Sequence, residues 1–224
     1  MSNSIVKQLV LKDLQILRIP TFCWWLGGMA SVLVAIFGGS ALGTASFILF
    51  VTCMAGAGVH AAMLSTVEER REQVLAFIMS LPISVREYTS AKLIANMICF
   101  GIVWLTLSAA SFVVFLGDEG LPDGTRPLLV IILLGILLAY TIILATGLIF
   151  EALGPTIVAT VAANIGTQIY IWILAELQGI RAYIGSDEAV WNSTVVSVLA
   201  IQAAVIVALL AGTYFLQARK TDFL

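Results

Sequence analysis

The sequence predicts an all-α membrane protein with six transmembrane helices, and three observations support this prediction. Hydrophobic residues make up 61% of the 224 residues, charged residues only 11%, and the mean hydropathy is +1.07. The apolar residues fall into six continuous stretches, each close to the roughly 20 residues that a helix needs to cross a bilayer. Almost all basic residues lie on one side of these stretches. A water-soluble domain of this composition would expose large apolar patches and aggregate.

The six stretches form a single predicted transmembrane domain that covers residues 1–224. Its spans are predicted at 20–40, 44–65, 93–116, 128–150, 155–177 and 194–216. Lipid offers no hydrogen-bond partner to the backbone, so a spanning chain must form helices or a closed barrel. The apolar runs are continuous rather than alternating, which favours helices.

The positions of lysine and arginine predict the orientation, because basic residues collect in cytoplasmic loops. Of the eleven basic residues, only Arg126 and Arg181 fall on one side of the spans. The other side has Lys7, Lys12, Arg18, Arg70, Arg71, Arg86, Lys92, Arg219 and Lys220. We therefore expect a multi-pass protein of the inner (plasma) membrane with both termini in the cytoplasm. No basic surface remains for nucleic acid, so no nucleic-acid partner is predicted.

Residues 4–18 have the pattern of a short amphipathic helix that lies in the membrane interface. Apolar side chains occupy one face, and Gln8, Lys12 and Gln15 occupy another. The chain is expected to turn into the membrane at Pro20, followed by interfacial tryptophans at 24 and 25. A surface anchor with no further role is the alternative interpretation.

The chain lacks the residues that enzyme chemistry would need. It has one histidine, His60, which excludes a metal site built on paired histidines and favours a hydrogen bond to a neighbouring helix. The pair Glu68-Glu69 resembles that of intramembrane CAAX-type proteases, but Gln73 stands where those proteins have an arginine. No Gly-Lys dipeptide occurs, so there is no phosphate-binding loop for ATP. We expect no catalytic residues, no cofactor and no metal.

The loop at 66–92 between spans 2 and 3 begins with charged residues and then becomes apolar. Ser65 with Glu68, or Thr66 with Glu69, has the spacing of a capping box that starts a helix. Leu81-Pro82 should end that helix, because proline disfavours helical conformation in the residue before it. A second capping box, Ser84 with Glu87, should then start the helix of span 3. The first helix suits either a groove in a protein partner or the lipid surface.

Span 5 has one polar stripe. Its members recur every four residues and so share one helix face: Thr160, Asn164, Gln168, Trp172 and Glu176. Polar groups inside a membrane are costly when unsatisfied, so this face should contact protein or water. It could line a translocation path, with Asn164, Gln168 and Trp172 as candidate residues, or a dimer seam. Hydrogen bonding between helices of one chain is the alternative.

The loop resembles the first cytoplasmic loop of ABC-2 type transporter permeases. In that family a Glu/Arg-rich start leads to a Leu-Pro-(Ile/Val)-Ser segment and then to a lysine that opens the third span. The matching positions here are Glu68, Glu69, Arg70, Leu81, Pro82, Ile83, Ser84 and Lys92. The ending Arg219-Lys-Thr-Asp222-Phe is also similar to family C-termini.

The resemblance implies a membrane permease subunit that exports a substrate, as a homodimer or heterodimer, with energy from a separate cytoplasmic ATPase subunit. The loop would be the coupling helix that binds the ATPase. Its contact residues would be Glu68, Glu69, Arg70, Arg71, Phe77, Leu81 and Pro82. The segment between spans 5 and 6 is shorter here than in many family members. A haem-exporter-type subunit of cytochrome c maturation, and a membrane anchor or sensor that transports nothing, are the alternatives.

Overall fold

A computed structural model describes residues 2–68, 84–115, 122–217 and 219. All regular structure in this part of the chain is helical. The helices are α1 (Ser2–Phe37), α2 (Gly39–Met63), α3 (Val85–Phe115), α4 (Arg126–Phe150), α5 (Leu153–Glu176), the short α6 (Gln178–Arg181) and α7 (Ser193–Gln217). A π-helical turn, Leu64–Glu68, extends α2, and a 3-10 turn, Asp123–Thr125, precedes α4.

Six of these helices are long and apolar enough to cross a membrane, which confirms the predicted all-helical architecture with six spans. The candidate spans are Ile5–Phe37, Leu42–Val67, Val85–Val114, Asp123–Phe150, Leu153–Glu176 and Ser193–Gln217. Successive spans run in opposite directions. One end of the bundle, which we call the base, therefore holds the start of α1, the end of α2, the start of α3 and the end of α7.

Helix α4 is the central helix of the bundle. In its most apolar window 56% of the residues are buried, compared with 11% in α5. Side chains of α2, α3 and α4 form the main apolar core, in which Met54, Leu107 and Leu144 are fully buried. Helix α5 packs mainly on α4, which leaves its opposite face open.

The predicted break at Pro20 is wrong. Helix α1 continues through Pro20, so residues 4–18 are the first turns of the first spanning helix and not a separate interfacial helix. Leu17, which is 1% exposed, packs with Ala61 of α2 and Cys99 of α3. These tertiary contacts hold the helix together although proline removes one of its backbone hydrogen bonds.

The helix start predicted at Ser65 or Thr66 is also wrong. Helix α2 runs directly into its π-helical turn, and no new helix starts at these residues. The hydroxyl groups of Ser65 and Thr66 donate hydrogen bonds back to the carbonyl of Ala62. Residues 69–83, which include most of the predicted coupling helix, lie outside the described part of the chain.

Candidate functional site

A cleft of about 560 Å³ lies between α1, α2 and α5. Its polar side chains are Thr52 and His60 of α2 and Asn164 and Gln168 of α5, and the other lining residues described are apolar or glycine apart from Trp24. None of the described lining residues is Asp, Glu, Lys or Arg. The volume falls in the range of pockets for small molecules, which also combine apolar walls with a few polar groups.

Trp24 and His60 connect α1 to α2 inside this cleft. The indole Nε1 of Trp24 donates a hydrogen bond to Nδ1 of His60 over 3.3 Å. Indole nitrogen is only a donor, so Nδ1 must be the unprotonated nitrogen and the neutral ring carries its proton on Nε2. The lone histidine thus bonds to a neighbouring helix, as predicted, and its Nε2–H is a donor.

Gly56 makes this contact possible. A Cβ atom at position 56 would lie 2.7 Å from two atoms of the Trp24 ring, closer than any normal carbon contact. The missing side chain lets the indole lie directly on the backbone of α2. Small residues permit this close approach between membrane helices.

The polar stripe predicted on α5 divides into two parts. Asn164 and Gln168 line the cleft, whereas Trp172 is 68% exposed and is not among its lining residues. Asn164 donates its Nδ2–H to the carbonyl of Thr160 at 2.8 Å, which leaves its oxygen as an acceptor. Among the described residues, Gln168 makes no hydrogen bond. Glu176, at the far end of the stripe, forms an exposed ion pair of 2.6 Å with Arg181.

A second group of polar residues is buried at the base. Nζ of Lys92 in α3 lies 2.8 Å from Oδ2 of Asp13 in α1, and these side chains are only 2% and 3% exposed. The ammonium group also lies 5.6 Å from the ring centre of Tyr88, one turn earlier in α3. Removing one member of such a buried pair leaves an uncompensated charge and costs about 3–5 kcal/mol.

Asn96 extends this group to α2 and α4. Its Nδ2 donates to the Ser65 hydroxyl at 2.8 Å and to the Lys92 carbonyl at 3.0 Å, while Tyr140 donates to its Oδ1 at 3.5 Å. Ser65 belongs to the π-helical turn, a deformation that often occurs at functional sites in helices. One turn of α3 therefore contacts α1, the end of α2 and α4.

The predicted capping box at the start of α3 is confirmed. The backbone N–H and the hydroxyl of Ser84 both donate to Oε2 of Glu87 at 2.8 Å, and the Glu87 N–H donates to the Ser84 hydroxyl at 3.3 Å. These bonds satisfy donors that the first turn of a helix cannot pair internally. Helix α3 consequently begins at Val85, eight residues before the predicted start of span 3.

The predicted ATPase-contact residues lie outside the described residues, except for Glu68. They are Glu69, Arg70, Arg71, Phe77, Leu81 and Pro82. Glu68 is the last residue of the π-helical turn. The described residues contain no group of three or more His, Cys, Asp or Glu side chains placed to hold a metal ion.

Asp13 is the functional candidate that sequence analysis missed. A carboxylate in a short surface helix would have no special role, and the predicted break at Pro20 placed residue 13 in such a helix. One signal was available, because Asp13 is the only acidic residue between positions 1 and 67. Its partner Lys92 belongs to the loop motif, but only the tertiary structure brings the two together.

Six apolar spans, three of which line a partly polar cleft, define a multi-pass membrane protein. A family model described as "ABC-2 family transporter protein" matches residues 8–221, so the chain belongs to the ABC-2 transporter family. The resemblance seen in the loop at 66–92 is thereby confirmed over nearly the whole chain. Neither the curated proteins nor the solved structures contain a match to this chain.

Proposed function

We propose that this protein is the permease subunit of an ATP-driven ABC-2 exporter, with both termini in the cytoplasm. A separate cytoplasmic subunit hydrolyses ATP, and the permease moves the substrate through the membrane. The observation that carries this proposal is the family match over residues 8–221. The sequence has no phosphate-binding loop, which agrees with an ATPase on another chain.

The segment from Glu68 to Pro82 is the proposed contact with the ATPase subunit. Its resemblance to the family's coupling helix supports this role. The residues on either side of it give further support, because they are firmly anchored at the base. Ser65 before the segment bonds to Asn96, and the capping box after it starts α3. A segment held at both ends can transmit a displacement to the helices instead of absorbing it.

The open face of α5 is the proposed centre of a dimer. Asn164, Gln168 and Trp172 are exposed on this face, together with Ile165 and Ile169. Amides that faced lipid would lose their hydrogen bonds to water without replacement. A second permease subunit that covers this face would remove the cost of placing these amides in lipid and would enclose the cleft. Asn164 and Gln168 would then line the translocation path between the subunits. Trp172 then lies at the subunit contact.

Purification of the tagged protein from its native membrane, with mass spectrometry and an ATPase assay, tests this function. We expect a P-loop ATPase in stoichiometric amount. The double charge reversal Glu69→Lys with Arg70→Glu should abolish the stimulation of ATPase activity by the permease while insertion into the membrane continues. An intact complex with unchanged stimulation would contradict the assignment of the ATPase contact.

A matched control reverses two charges at the opposite end of the bundle. Glu176→Lys with Arg181→Glu exchanges the partners of an exposed ion pair. Exposed pairs contribute little to stability, about 0–1 kcal/mol, and the exchange keeps opposite charges together. ATPase stimulation should therefore be unchanged in the control.

The purification can also contradict the proposed function. If no ATPase accompanies an intact protein, the anchor or sensor alternative replaces the transporter.

A further inference from the structure

We propose that Asp13 is a positioning residue for transport. Through its ion pair with Lys92 it fixes α1 to the start of α3, so that a displacement of α3 at the base also moves α1 and Trp24 in the cleft. This inference rests on the proposed function, because the ATPase subunit supplies the displacement. It assigns a role to Asp13, which lies outside the loop at 66–92 that contains its partner Lys92.

The first argument is the position of the pair. Lys92 lies two turns into α3, after the capping box at Ser84 and Glu87 that begins the helix. Because a helix is stiff over such a distance, a displacement of its first turn carries Lys92 with it. The 2.8 Å contact then transfers the displacement to Asp13 in α1.

The second argument is that α1 and α3 are joined at two levels. Above the ion pair, the indole Nε1 of Trp25 donates a hydrogen bond to the Thr106 hydroxyl of α3 at 3.0 Å. The adjacent residue, Trp24, instead contacts His60 of α2 inside the cleft. A displacement that α3 passes to α1 therefore reaches Trp24, and the Trp24–His60 contact is where it would change the cleft.

The third argument is the continuity of α1. Asp13 and Trp24 are eleven residues apart in one unbroken helix, a distance of about 16 Å at 1.5 Å per residue. Pro20 lies between them and removes one backbone hydrogen bond, which makes this turn the most easily bent part of the connection. A separate interfacial helix would have had no such connection to the cleft.

The fourth argument is energetic. A buried ion pair loses hydration, and replacing it with apolar side chains of similar volume is often neutral or stabilising. The pair is therefore a poor choice if its role is only to stabilise the bundle. The two charges do fix which turn of α1 lies against which turn of α3. A fixed register of this kind is what allows a displacement of α3 to carry α1 with it.

The test uses the purified complex of the permease with its ATPase subunit and a cysteine reporter in the cleft. Thr52→Cys, on an exposed cleft position, is placed in a background without Cys23, Cys53 and Cys99, and its rate of maleimide labelling is measured with and without a non-hydrolysable ATP analogue. We expect the analogue to change the rate about five-fold or more, a typical coupling between sites.

The decisive variant is the apolar replacement Asp13→Leu with Lys92→Met. We expect it to assemble with the ATPase and to keep its melting temperature, while the nucleotide-dependent change in labelling is lost. Glu176→Gln with Arg181→Gln removes an exposed ion pair at the other end and should keep the full change. Lys92→Arg, which preserves the charge, should retain most of it.

Two results would overturn the proposal. One is an apolar double variant that still shows the full nucleotide-dependent change. The other is a double variant that unfolds while Lys92→Arg remains stable and coupled, since the pair would then be a structural support. The Thr52→Cys protein with an intact ion pair tests the proposed function itself. If its labelling rate does not respond to nucleotide, or if it has no ATPase partner, the proposed function fails and the inference loses its basis.

Discussion

At the scale of single residues, three residues on two helices shape one wall of the cleft. Gly56 has no side chain, Trp24 occupies the space this leaves, and His60 accepts the indole hydrogen bond. The position of Trp24 depends on Gly56, and the hydrogen bond of His60 depends on the position of Trp24. The donor that His60 presents from Nε2 therefore depends on a glycine that makes no polar contact.

Replacing Gly56 with alanine should displace Trp24 and break its bond to His60. The new Cβ would lie 2.7 Å from the ring, and an overpacked contact of this kind costs about 1–3 kcal/mol. We expect a lower melting temperature in detergent and reduced transport. Gly43→Ala is the control in the same helix, because no atom lies within 4 Å of a Cβ at that position. Equal melting temperatures and equal transport in the two variants would show that the close approach of Trp24 to α2 is unimportant.

At the scale of elements, the start of α3 is a capped helix terminus that directly follows the proposed ATPase contact in the chain. Ser84 and Glu87 close a reciprocal capping box, and the helix then passes through Lys92 and Asn96 at the base. A frayed first turn would weaken the mechanical link between the segment at 69–83 and the rest of α3. In the proposed exporter, the cap would therefore serve transmission of movement as well as stability.

Ser84→Ala should loosen the first turn of α3. Loss of a serine cap costs about 1 kcal/mol, because backbone donors lose their partner. Hydrogen exchange of the amides at 85–88 should become faster, with little change beyond residue 96. Ser90→Ala, in the same helix, removes only a bond to the Arg86 carbonyl and should leave those amides unchanged. Slow exchange in the Ser84 variant would mean that tertiary contacts alone hold this turn.

At the scale of the whole molecule, the distribution of basic residues and the fold predict one arrangement in the membrane. The six spans place the start of α1 and the end of α7 at the base. Among the basic residues that the structure describes, only Arg126 and Arg181 lie at the opposite end. The proposed function requires the base to face the cytoplasm, because the proposed ATPase contact connects the end of α2 to the start of α3.

Labelling from outside the cell tests the orientation. Gln8→Cys and Ala182→Cys are exposed, uncharged positions at the base and at the opposite end. In a background without the natural cysteines, a membrane-impermeant maleimide added to intact cells should label residue 182 and not residue 8. After the membrane is permeabilised, both should react. The reverse pattern would place the proposed ATPase contact outside the cell and exclude the exporter.

Sequence by itself determined the class of protein and the number of its spans. Apolar length and basic-residue placement act locally, through the cost of placing each segment in lipid or water, so they can be interpreted without a fold. The capping box at Ser84 was predictable because it depends on a spacing of three residues. The hydrogen bond of His60 was predictable because a lone histidine in a membrane span needs a polar partner on a neighbouring helix.

Only the tertiary structure decided how these segments meet. Proline signals a break at position 20, but the packing of Leu17 and Asp13 against α2 and α3 outweighs the lost hydrogen bond, and α1 continues. The stripe on α5 recurs every four residues in sequence, yet Asn164 and Gln168 line the cleft beside α2 and Trp172 does not. Asp13 and Lys92 are 79 residues apart, and their contact depends on how α1 and α3 pack. Local pattern fixes which residues belong in the membrane, whereas long-range packing fixes which of them touch.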